Sequence, residues 1–274
     1  KNTRNVFLRR YCHTPNTTCG RVVVEDVSLF WEIYGQGPHP VLCIPGLAGS
    51  TVESFHPVWN LMSPEKYTLV GIDPPGQGRS YPPEVDLLSE ELYTWKHARM
   101  ANALMTELGY DKFSVLGWSN GGSAALVMGG AFPNRINKVI CCNSPYRATK
   151  KTLRLVQAMT NLEKWPPDLR RRLVDFYGEA YLRKMLQNQV DFVIDDGQPH
   201  RDRMYKCVLE FSEKNFRPTL MVAGLKDMSW NPEEAECIRN TIRDCRLVTF
   251  PNCGHSHLEF VEDLVRISEE FLDE

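Results

Sequence analysis

The sequence predicts an α/β fold, in which helices flank a mostly parallel sheet of eight strands. Short apolar runs without a polar face alternate with helical segments, which is typical of parallel strands covered on both faces. This alternation stops between about residues 146 and 217, where the chain is charged, helical in pattern and poor in strands. We therefore expect an α/β core built from residues 21–145 and 218–274, with a helical cap inserted at 146–217. A chain of 274 residues is long enough for one large domain of this class.

The individual elements follow from local patterns. Residues 21–24 and 29–34 predict an antiparallel hairpin with a turn at Glu25 and Asp26. The remaining strands are predicted at 41–44, 67–72, 113–116, 138–142, 219–223 and 246–250. Helical spacing covers 90–108, a segment after Pro232 and a last segment from about 260 to 272.

The segment Gly117-Trp118-Ser119-Asn120-Gly121 follows the predicted strand 113–116 and precedes a helical run. A Gly-x-Ser-x-Gly string in this position forms a sharp turn that exposes the serine hydroxyl above the sheet. Glycine two residues before the serine and two residues after it removes the side chains that would clash in so tight a turn. The following helix directs its positive N-terminal end toward charge that develops at the serine. Ser119 is therefore the predicted nucleophile.

A serine hydroxyl needs a base, and the base needs a group that orients it. Asp227 follows the predicted strand 219–223, and His255 follows the predicted strand 246–250. The order Ser, Asp, His is the one that this kind of fold uses, and ligands bind at the carboxyl ends of its strands. We therefore predict that Ser119, His255 and Asp227 act together as nucleophile, general base and orienting carboxylate.

Other residues are alternatives for two of these roles. His257 is the nearest alternative base, although it falls at the start of the last helix and is expected to point elsewhere. Glu233 and Glu234 are alternatives to Asp227. Both fall in the first turn of a predicted helix, where acidic residues are favoured without any catalytic role.

An oxyanion hole requires two backbone N–H donors. The first is expected from Asn120, directly after the nucleophile. The second is expected from Leu47, in the loop 45–50 after a predicted strand, where glycine lies on both sides. We also expect the side chains of Asn120, Leu47 and Trp118 to line the substrate pocket. Asp73 and Arg79 belong to another loop, which we interpret as structural, with Arg79 pairing an acidic side chain.

Composition limits the partners. The chain has 32 basic and 34 acidic residues and a net charge of −2, which gives no electrostatic reason to expect nucleic acid or an anionic membrane. No apolar run approaches the roughly 20 residues of a membrane-spanning helix. We find neither a cluster with metal-ligand spacing nor a glycine-rich dinucleotide loop, so no metal or cofactor is predicted. The expected partner is a small molecule, and the expected state is a monomer.

The first residues have a distinct composition. Residues 1–24 include five basic residues and no acidic residue. Such a profile is typical of a mitochondrial transit segment, although a disordered basic tail fits it equally. We expect residues 1–20 to form this segment and the protein to be mitochondrial, with a cytoplasmic location as the alternative.

We call the turn at 117–121 the elbow. Together with the loops 45–50 and 73–80, the helical insertion and the spacing of Asp227 and His255, it resembles the α/β-hydrolase superfamily. Within it, the chain is similar to the biphenyl hydrolase-like proteins, also called valacyclovir hydrolases, from about residue 22 to residue 272. The strings Leu116-Gly117-Trp118-Ser119 and Phe176-Tyr177-Gly178, together with Trp165, carry most of this resemblance. It implies a serine esterase that acts on α-amino-acid esters, often in mitochondria.

One position departs from that family. Its members carry an aspartate directly after the nucleophile, which holds the ammonium group of the substrate, and this chain has Asn120. We therefore expect a weaker preference for esters that bear an ammonium group. Hydrolysis of a C–C or amide bond by the same three residues is an alternative, and so is a ligand-binding protein that keeps the fold without turnover.

Overall fold

The computed structural model describes residues 17–84, 91–147, 149–196 and 203–274. Within these ranges eight strands form one sheet in the order β1-β2-β4-β3-β5-β6-β7-β8. The two N-terminal pairings, β1 with β2 and β2 with β4, are antiparallel, and the other pairings are parallel. The predicted eight-stranded α/β fold is confirmed. The strands are β1 (Thr17–Val24), β2 (Val27–Tyr34), β3 (His39–Ile44), β4 (Tyr67–Asp73), β5 (Phe113–Trp118), β6 (Ile136–Cys142), β7 (Thr219–Gly224) and β8 (Cys245–Phe250).

The N-terminal hairpin turns where the sequence predicts. Glu25 and Asp26 have φ values of +48° and +66°, as a two-residue type I′ turn requires at both central positions. Strand β1 begins at Thr17, four residues before the predicted strand, so residues 17–20 belong to the sheet and not to the predicted basic segment. Residues 1–16, the rest of the predicted transit segment, lie outside the described residues.

The sheet lies between two layers of helices. The helices are α1 (Thr51–Trp59), α2 (Tyr93–Glu107), α3 (Asn120–Ala131), α4 (Lys150–Met159), α5 (Pro167–Tyr177), α6 (Glu179–Asp196), α7 (Arg203–Glu213), α8 (Pro232–Thr241) and α9 (Val261–Asp273). One apolar core joins the sheet to α2, α3, α7 and α8, and a second core on the opposite face joins it to α1 and α9. Because both faces are covered, every residue of β4 and β7 is buried.

Helices α4 to α7 lie between β6 and β7, in the segment for which the sequence predicts a cap. Helix α6 packs on α4 and α5, whereas α7 packs on α3, where a side chain at Gly130 would come within 1.9 Å of the Phe211 carbonyl oxygen. A separate apolar cluster joins these helices to the core, and we call it the cap cluster: Tyr93, Leu162, Tyr177, Tyr181, Leu182, Met185 and Leu186. Leu47 and Ala48, from the loop after β3, pack against the cap cluster. The limits 146–217 for a separate cap stay a prediction.

Candidate active site

Ser119 lies at the turn between β5 and α3, with φ +55° and ψ −126°. A side chain added at Gly117 would lie 2.2 Å from the carbonyl oxygen of Gly121, and one added at Gly121 would lie 2.0 Å from that of Ile44. Contacts this short with backbone atoms cannot be relieved by a side-chain rotation. The two glycines of the string are therefore required by space, and the strained serine is held by the packing around it.

The structure brings Ser119, His255 and Asp227 together. The Nε2 atom of His255 lies 3.0 Å from the Oγ atom of Ser119. Its Nδ1 atom lies 2.8 Å from the Oδ2 atom of Asp227. Asp227 follows β7 and His255 follows β8, so the parallel order of the sheet places both at the edge that carries the serine. Both distances are those of hydrogen bonds between a serine, an imidazole and a carboxylate.

The Asp227 carboxylate is buried and fully hydrogen-bonded. Both the backbone N–H and the hydroxyl of Ser229 donate to its Oδ1 atom over 2.7 Å. Burial by itself raises the pKa of Asp227, but the hydrogen bond and charge of His255 and the two Ser229 donors outweigh it, so that the pKa lies below its usual value. The ionised carboxylate accepts the Nδ1 proton of His255, which leaves Nε2 free to accept a proton from Ser119. Ser229 is a residue that we did not predict, although Asp-x-Ser after a strand is a known turn pattern.

The alternative base, His257, is engaged elsewhere. Its Nε2 atom donates to the carbonyl oxygen of Ser54 over 2.7 Å, and the residue is only 1% exposed. Burial lowers the pKa of His257 to about 4, so the ring stays neutral at physiological pH. The Trp118 ring contacts both imidazoles, with centroid distances of 5.4 Å to His255 and 4.8 Å to His257. Its Nε1 atom donates to the His255 carbonyl over 2.9 Å, so Trp118 supports the histidine loop as well as lining the cavity.

The alternative acids lie in the first turn of α8, as their position in the sequence predicts. The side-chain oxygen of Asn231 accepts the backbone N–H of Glu233. Its amide nitrogen donates to the Glu234 carboxylate over 3.0 Å. Both glutamates thus belong to the N-terminal cap of a helix, where negative charge is stabilising.

Asn143, the residue after β6, joins the segments that carry the histidine and the aspartate. Its amide nitrogen lies 2.9 Å from the carbonyl oxygen of His255 and 3.2 Å from that of Gly254. Its side-chain oxygen accepts the backbone N–H of Gly224 over 2.8 Å. The residue is fully buried and has φ +47°, a conformation in which asparagine is enriched. We did not predict this role, because a single asparagine before Ser144-Pro145 reads as an ordinary turn residue.

The predicted oxyanion donors lie beside the serine. A side chain added at Gly46 would lie 2.9 Å from the Cβ atom of Ser119, which shows how closely the loop after β3 approaches the elbow. In the part of the chain that the structure describes, the amides of Leu47 and Asn120 donate no hydrogen bond. Asn120 is also the first residue of α3, where N–H groups have no partner within the helix. Two free amides next to a nucleophile suit an oxyanion.

A buried cluster of charged side chains supports the loop that carries Leu47. The Asp73 carboxylate accepts the backbone N–H of Thr51 over 2.7 Å and pairs with the Arg79 guanidinium over 3.0 Å. Arg79 also pairs with Glu32 over 3.0 Å and lies over the Phe30 ring. Arg79 thus pairs with an acidic side chain, as we interpreted the loop 73–80, and Asp73 fixes the end of the segment that carries Leu47.

Ser119 and His255 open into a cavity of about 200 Å³. Leu47, Trp118 and Asn120, the three predicted pocket residues, line it together with apolar side chains of the inserted helices. The apolar lining includes Leu155, Val156, Met159, Phe192, Val193 and Met204. Among the described residues, the lining besides the catalytic candidates includes one charged side chain, Arg147, and two amides, Gln189 and Asn120, but no carboxylate. Four residues with hydroxyl groups also line it: Tyr93, Thr94, Thr152 and Ser229. The cavity is therefore suited to a small, mainly apolar molecule.

Two further features bear on the class of protein. In the described ranges, no three His, Cys, Asp or Glu side chains group closely enough to hold a metal ion. None of the helices in these ranges combines the length and the apolar character that crossing a bilayer requires.

Comparison with known proteins identifies the family of the chain. The family model for the alpha/beta hydrolase fold matches residues 39–176. The chain is 30% identical to the serine hydrolase BPHL of Mus musculus over 93% of this chain and 86% of that protein, and 28% identical to the Homo sapiens protein of that name over 94% and 87%. The haloalkane dehalogenase DbeA of Bradyrhizobium elkani superposes with a TM-score of 0.75 at 15% identity, covering 94% of this chain and 98% of that structure, a likeness of fold alone. The chain therefore belongs to the α/β-hydrolase family, and within it to the serine hydrolases that resemble BPHL.

Proposed function

We propose that this serine hydrolase cleaves small carboxylic esters through an acyl-enzyme formed on Ser119. The observation that carries the proposal is the continuous chain of hydrogen bonds from Asp227 through His255 to Ser119, which ends in the apolar cavity. A structural role for these three side chains would not require the serine to face a cavity beside two free backbone amides.

Each group then has one task in the reaction. The Ser119 oxygen attacks the acyl carbon while His255 Nε2 takes its proton, and Asp227 stabilises the imidazolium that forms. The amides of Leu47 and Asn120 donate to the oxyanion, and the loss of one such donor costs roughly 3 kcal/mol of transition-state stabilisation. His255 returns the proton to the leaving alcohol, and water then releases the acyl group by the reverse sequence of proton transfers.

The character of the cavity limits the substrate class. Its lining by the described residues is largely apolar and holds no carboxylate to pair with a substrate ammonium group. Asn120 offers a neutral hydrogen bond worth about 1 kcal/mol, where an ionised partner would give roughly 1.5–3 kcal/mol. We infer a preference for amino-acid esters that is about tenfold weaker than an aspartate at this position would give.

Labelling with a fluorophosphonate tests the nucleophile. We expect the intact mass of the wild-type protein to increase by one adduct, and that of Ser119→Ala to stay unchanged. Ser123→Ala is a suitable control, because Ser123 lies on α3 with its hydroxyl donating to the Pro145 carbonyl. A wild-type protein that forms no adduct would instead favour a ligand-binding role.

Asn120→Asp tests the substrate preference. An added carboxylate beside the cavity should raise kcat/KM for an α-amino-acid ester about tenfold relative to the ester without the amino group. Asn120→Ala removes the amide without adding charge and should lower kcat/KM for the α-amino-acid ester about fivefold relative to the other ester, because only the former loses the neutral hydrogen bond of about 1 kcal/mol. If Asn120→Asp leaves the ratio unchanged, the side chain at this position does not contact the substrate's amino group.

Location and assembly are separate proposals that depend on the sequence. We propose a mitochondrial protein because residues 1–24 are basic and free of acidic residues, with a cytoplasmic location as the alternative. We propose a monomer that uses no metal or other cofactor. Imaging of residues 1–24 fused to a fluorescent protein tests the location. Light scattering of the purified protein tests whether it is a monomer.

A further inference from the structure

The loop that carries Leu47 makes a strained turn. The backbone N–H of Gly49 donates to the carbonyl oxygen of Gly46 over 3.1 Å, which closes a four-residue turn around Leu47 and Ala48. Ala48 has φ +58°, the value that a type II turn requires at this position and that usually calls for glycine or asparagine. An alanine in this conformation persists only where surrounding contacts hold it.

One of these contacts comes from the inserted helices. Tyr177, at the end of α5, is 5% exposed, and its hydroxyl lies 2.6 Å from the backbone nitrogen of Gly78 and 3.3 Å from the carbonyl oxygen of Ala48. Because an amide N–H can only donate, the hydroxyl oxygen accepts from Gly78, and its own proton is directed at Ala48. The Tyr177 hydroxyl therefore connects the loop 73–80 with the strained residue next to Leu47.

Apolar contacts also join Tyr177 to the loop that carries Leu47. Leu47 and Ala48 pack against the cap cluster, to which Tyr177 belongs. The Tyr177 ring meets the rings of Tyr81 and Tyr181 edge-on, at centroid distances of 6.2 Å and 6.0 Å. The hydroxyl is thus held in place by its own ring packing and has little freedom to move away from the loop.

We propose that Tyr177 is a positioning residue that sets the oxyanion hole from the inserted helices. By holding the Ala48 carbonyl, it fixes the turn and with it the direction of the N–H of Leu47, the residue before Ala48. This proposal rests on the proposed function, because it assigns Leu47 N–H to the oxyanion. It predicts that a change in the inserted helices alters the chemical step even when the cavity lining is unchanged.

Tyr177→Phe tests the proposal, because it removes the hydroxyl and keeps the ring in the cap cluster. We expect kcat for a simple ester to fall at least tenfold with KM within twofold of wild type, since the donor acts on the transition state. The affinity for a boronic acid, which forms a tetrahedral adduct on a serine, should fall by a similar factor. Fluorophosphonate labelling of Ser119 should still occur, at a reduced rate.

Tyr181→Phe is the matched control. Tyr181 belongs to the same cluster and its hydroxyl also donates to a backbone carbonyl, that of Gly76 over 2.7 Å, outside the loop 45–50. We expect its kcat within twofold of wild type. An equal fall in both variants, or a change in KM in place of kcat for Tyr177→Phe, would overturn the proposal.

A second variant addresses the turn directly. In Tyr177→Phe/Ala48→Gly the glycine adopts positive φ without strain, so the turn should keep its shape without the hydroxyl and recover most of the lost kcat. No recovery would mean that Tyr177 does not act through this turn. If wild type and both variants fail to label with the fluorophosphonate, the proposed function is wrong. If all three label normally and the kcat of Tyr177→Phe is unchanged, only the proposal for Tyr177 is wrong.

Discussion

At the scale of single residues, Asn143 shows how one amide side chain can hold two loops together. It donates to the backbone of the histidine loop and accepts from the backbone at the end of β7, three residues before Asp227. The distance between the imidazole and the carboxylate therefore depends on a residue that has no role in the chemistry. Positioning by such outer contacts is a common requirement of catalytic groups.

Asn143→Ala should lower kcat about tenfold and destabilise the protein by about 1–3 kcal/mol, because buried backbone groups lose their partners. Asn215→Ala is a matched control, since Asn215 is 1% exposed and its amide bonds to Thr219 and Arg217 at the opposite end of β7. We expect a similar loss of stability with an unchanged kcat. Steady-state kinetics and urea unfolding of both variants provide the comparison, and equal effects on kcat would contradict a positioning role.

His97 is a buried residue that the reaction does not use. Its ring lies 3.8 Å from that of Tyr93, and neither ring nitrogen has a hydrogen-bond partner among the described residues. Burial and, to a smaller extent, the charge of Lys96 lower the pKa of His97 to about 3. In the unfolded chain the pKa of His97 has its ordinary value near 6.5. Below that pH the unfolded chain binds a proton at His97 that the folded protein does not bind. Stability is therefore fully present above about pH 6.5 and is lost as the pH falls toward 3.

His97→Leu should flatten this dependence. Between pH 6 and pH 5 the free energy of unfolding of the wild-type protein should fall more steeply than that of the variant, by up to about 1.4 kcal/mol per pH unit. Urea unfolding at several pH values measures both slopes. Above pH 7.5, where the histidine is neutral in both states, the two proteins should show parallel curves. Identical slopes between pH 6 and pH 5 would mean that His97 becomes protonated in the folded state.

At the scale of elements, the turn into α3 depends on what surrounds each glycine. A side chain at Gly121 would lie 2.0 Å from the carbonyl oxygen of Ile44. One at Gly122 would lie 1.8 Å from the Ser144 hydroxyl, and its nearest backbone contact, the Gly117 carbonyl oxygen, would be at 3.0 Å. A backbone carbonyl in the central strand β3 cannot move aside, but a hydroxyl can be removed by mutation. The two neighbouring glycines therefore differ in whether a substitution can be rescued.

Gly122→Ala should destabilise the protein by about 2 kcal/mol, and Gly122→Ala/Ser144→Ala should recover at least half of this, because the clash is removed and alanine favours the helix. Gly121→Ala should destabilise by more than about 4 kcal/mol, with no recovery from Ser144→Ala. Thermal unfolding of the four variants tests this contrast. Equal rescue of both glycine variants would show that Ile44 does give way.

The sequence predicts where the strands lie better than it predicts which strands pair with each other. The apolar runs predict β3 to β8 to within two residues at each end. For the central strands the reason is that buried parallel strands have no polar face. The placement of β4 between β2 and β3 was not predicted, since pairing partners leave no mark in a single run of residues. The α1 helix was also missed, because Pro57 and the four polar residues Thr51, Glu53, Ser54 and His56 obscure the helical pattern.

The candidate site also has residues that the sequence predicts and residues that it does not. Ser119, Asp227 and His255 are found from the sequence because each follows a predicted strand, and the parallel sheet brings those ends together. Asn143 and Tyr177 act through bonds to backbone atoms of distant segments, and Ser229 acts through bonds to the carboxylate of Asp227, two residues before it. Such bonds require only a donor or an acceptor at the right place, so many residue types and positions would have fitted the sequence equally well.

At the scale of the whole molecule, two layers of helices and one insertion divide the tasks. The layers bury the central strands and fix the ends that carry Ser119, Asp227 and His255. The inserted helices supply the apolar side of the cavity and, through Tyr177, contact the loop that carries Leu47. Differences in substrate preference among proteins of this fold can thus arise in the insertion without any change in the sheet.

The position of β8 has a consequence for how the protein loses activity. Among the residues that the structure describes, this strand is at the edge of the sheet and pairs only with β7, and its side chains are half-buried or exposed along its length. His255 follows it and lies 136 residues from Ser119 along the chain. Edge strands exchange their amide hydrogens through local opening that leaves the rest of a protein intact. A molecule with β8 detached would keep its central sheet and its serine turn but lack its base, so inactivation by heat or denaturant can precede global unfolding.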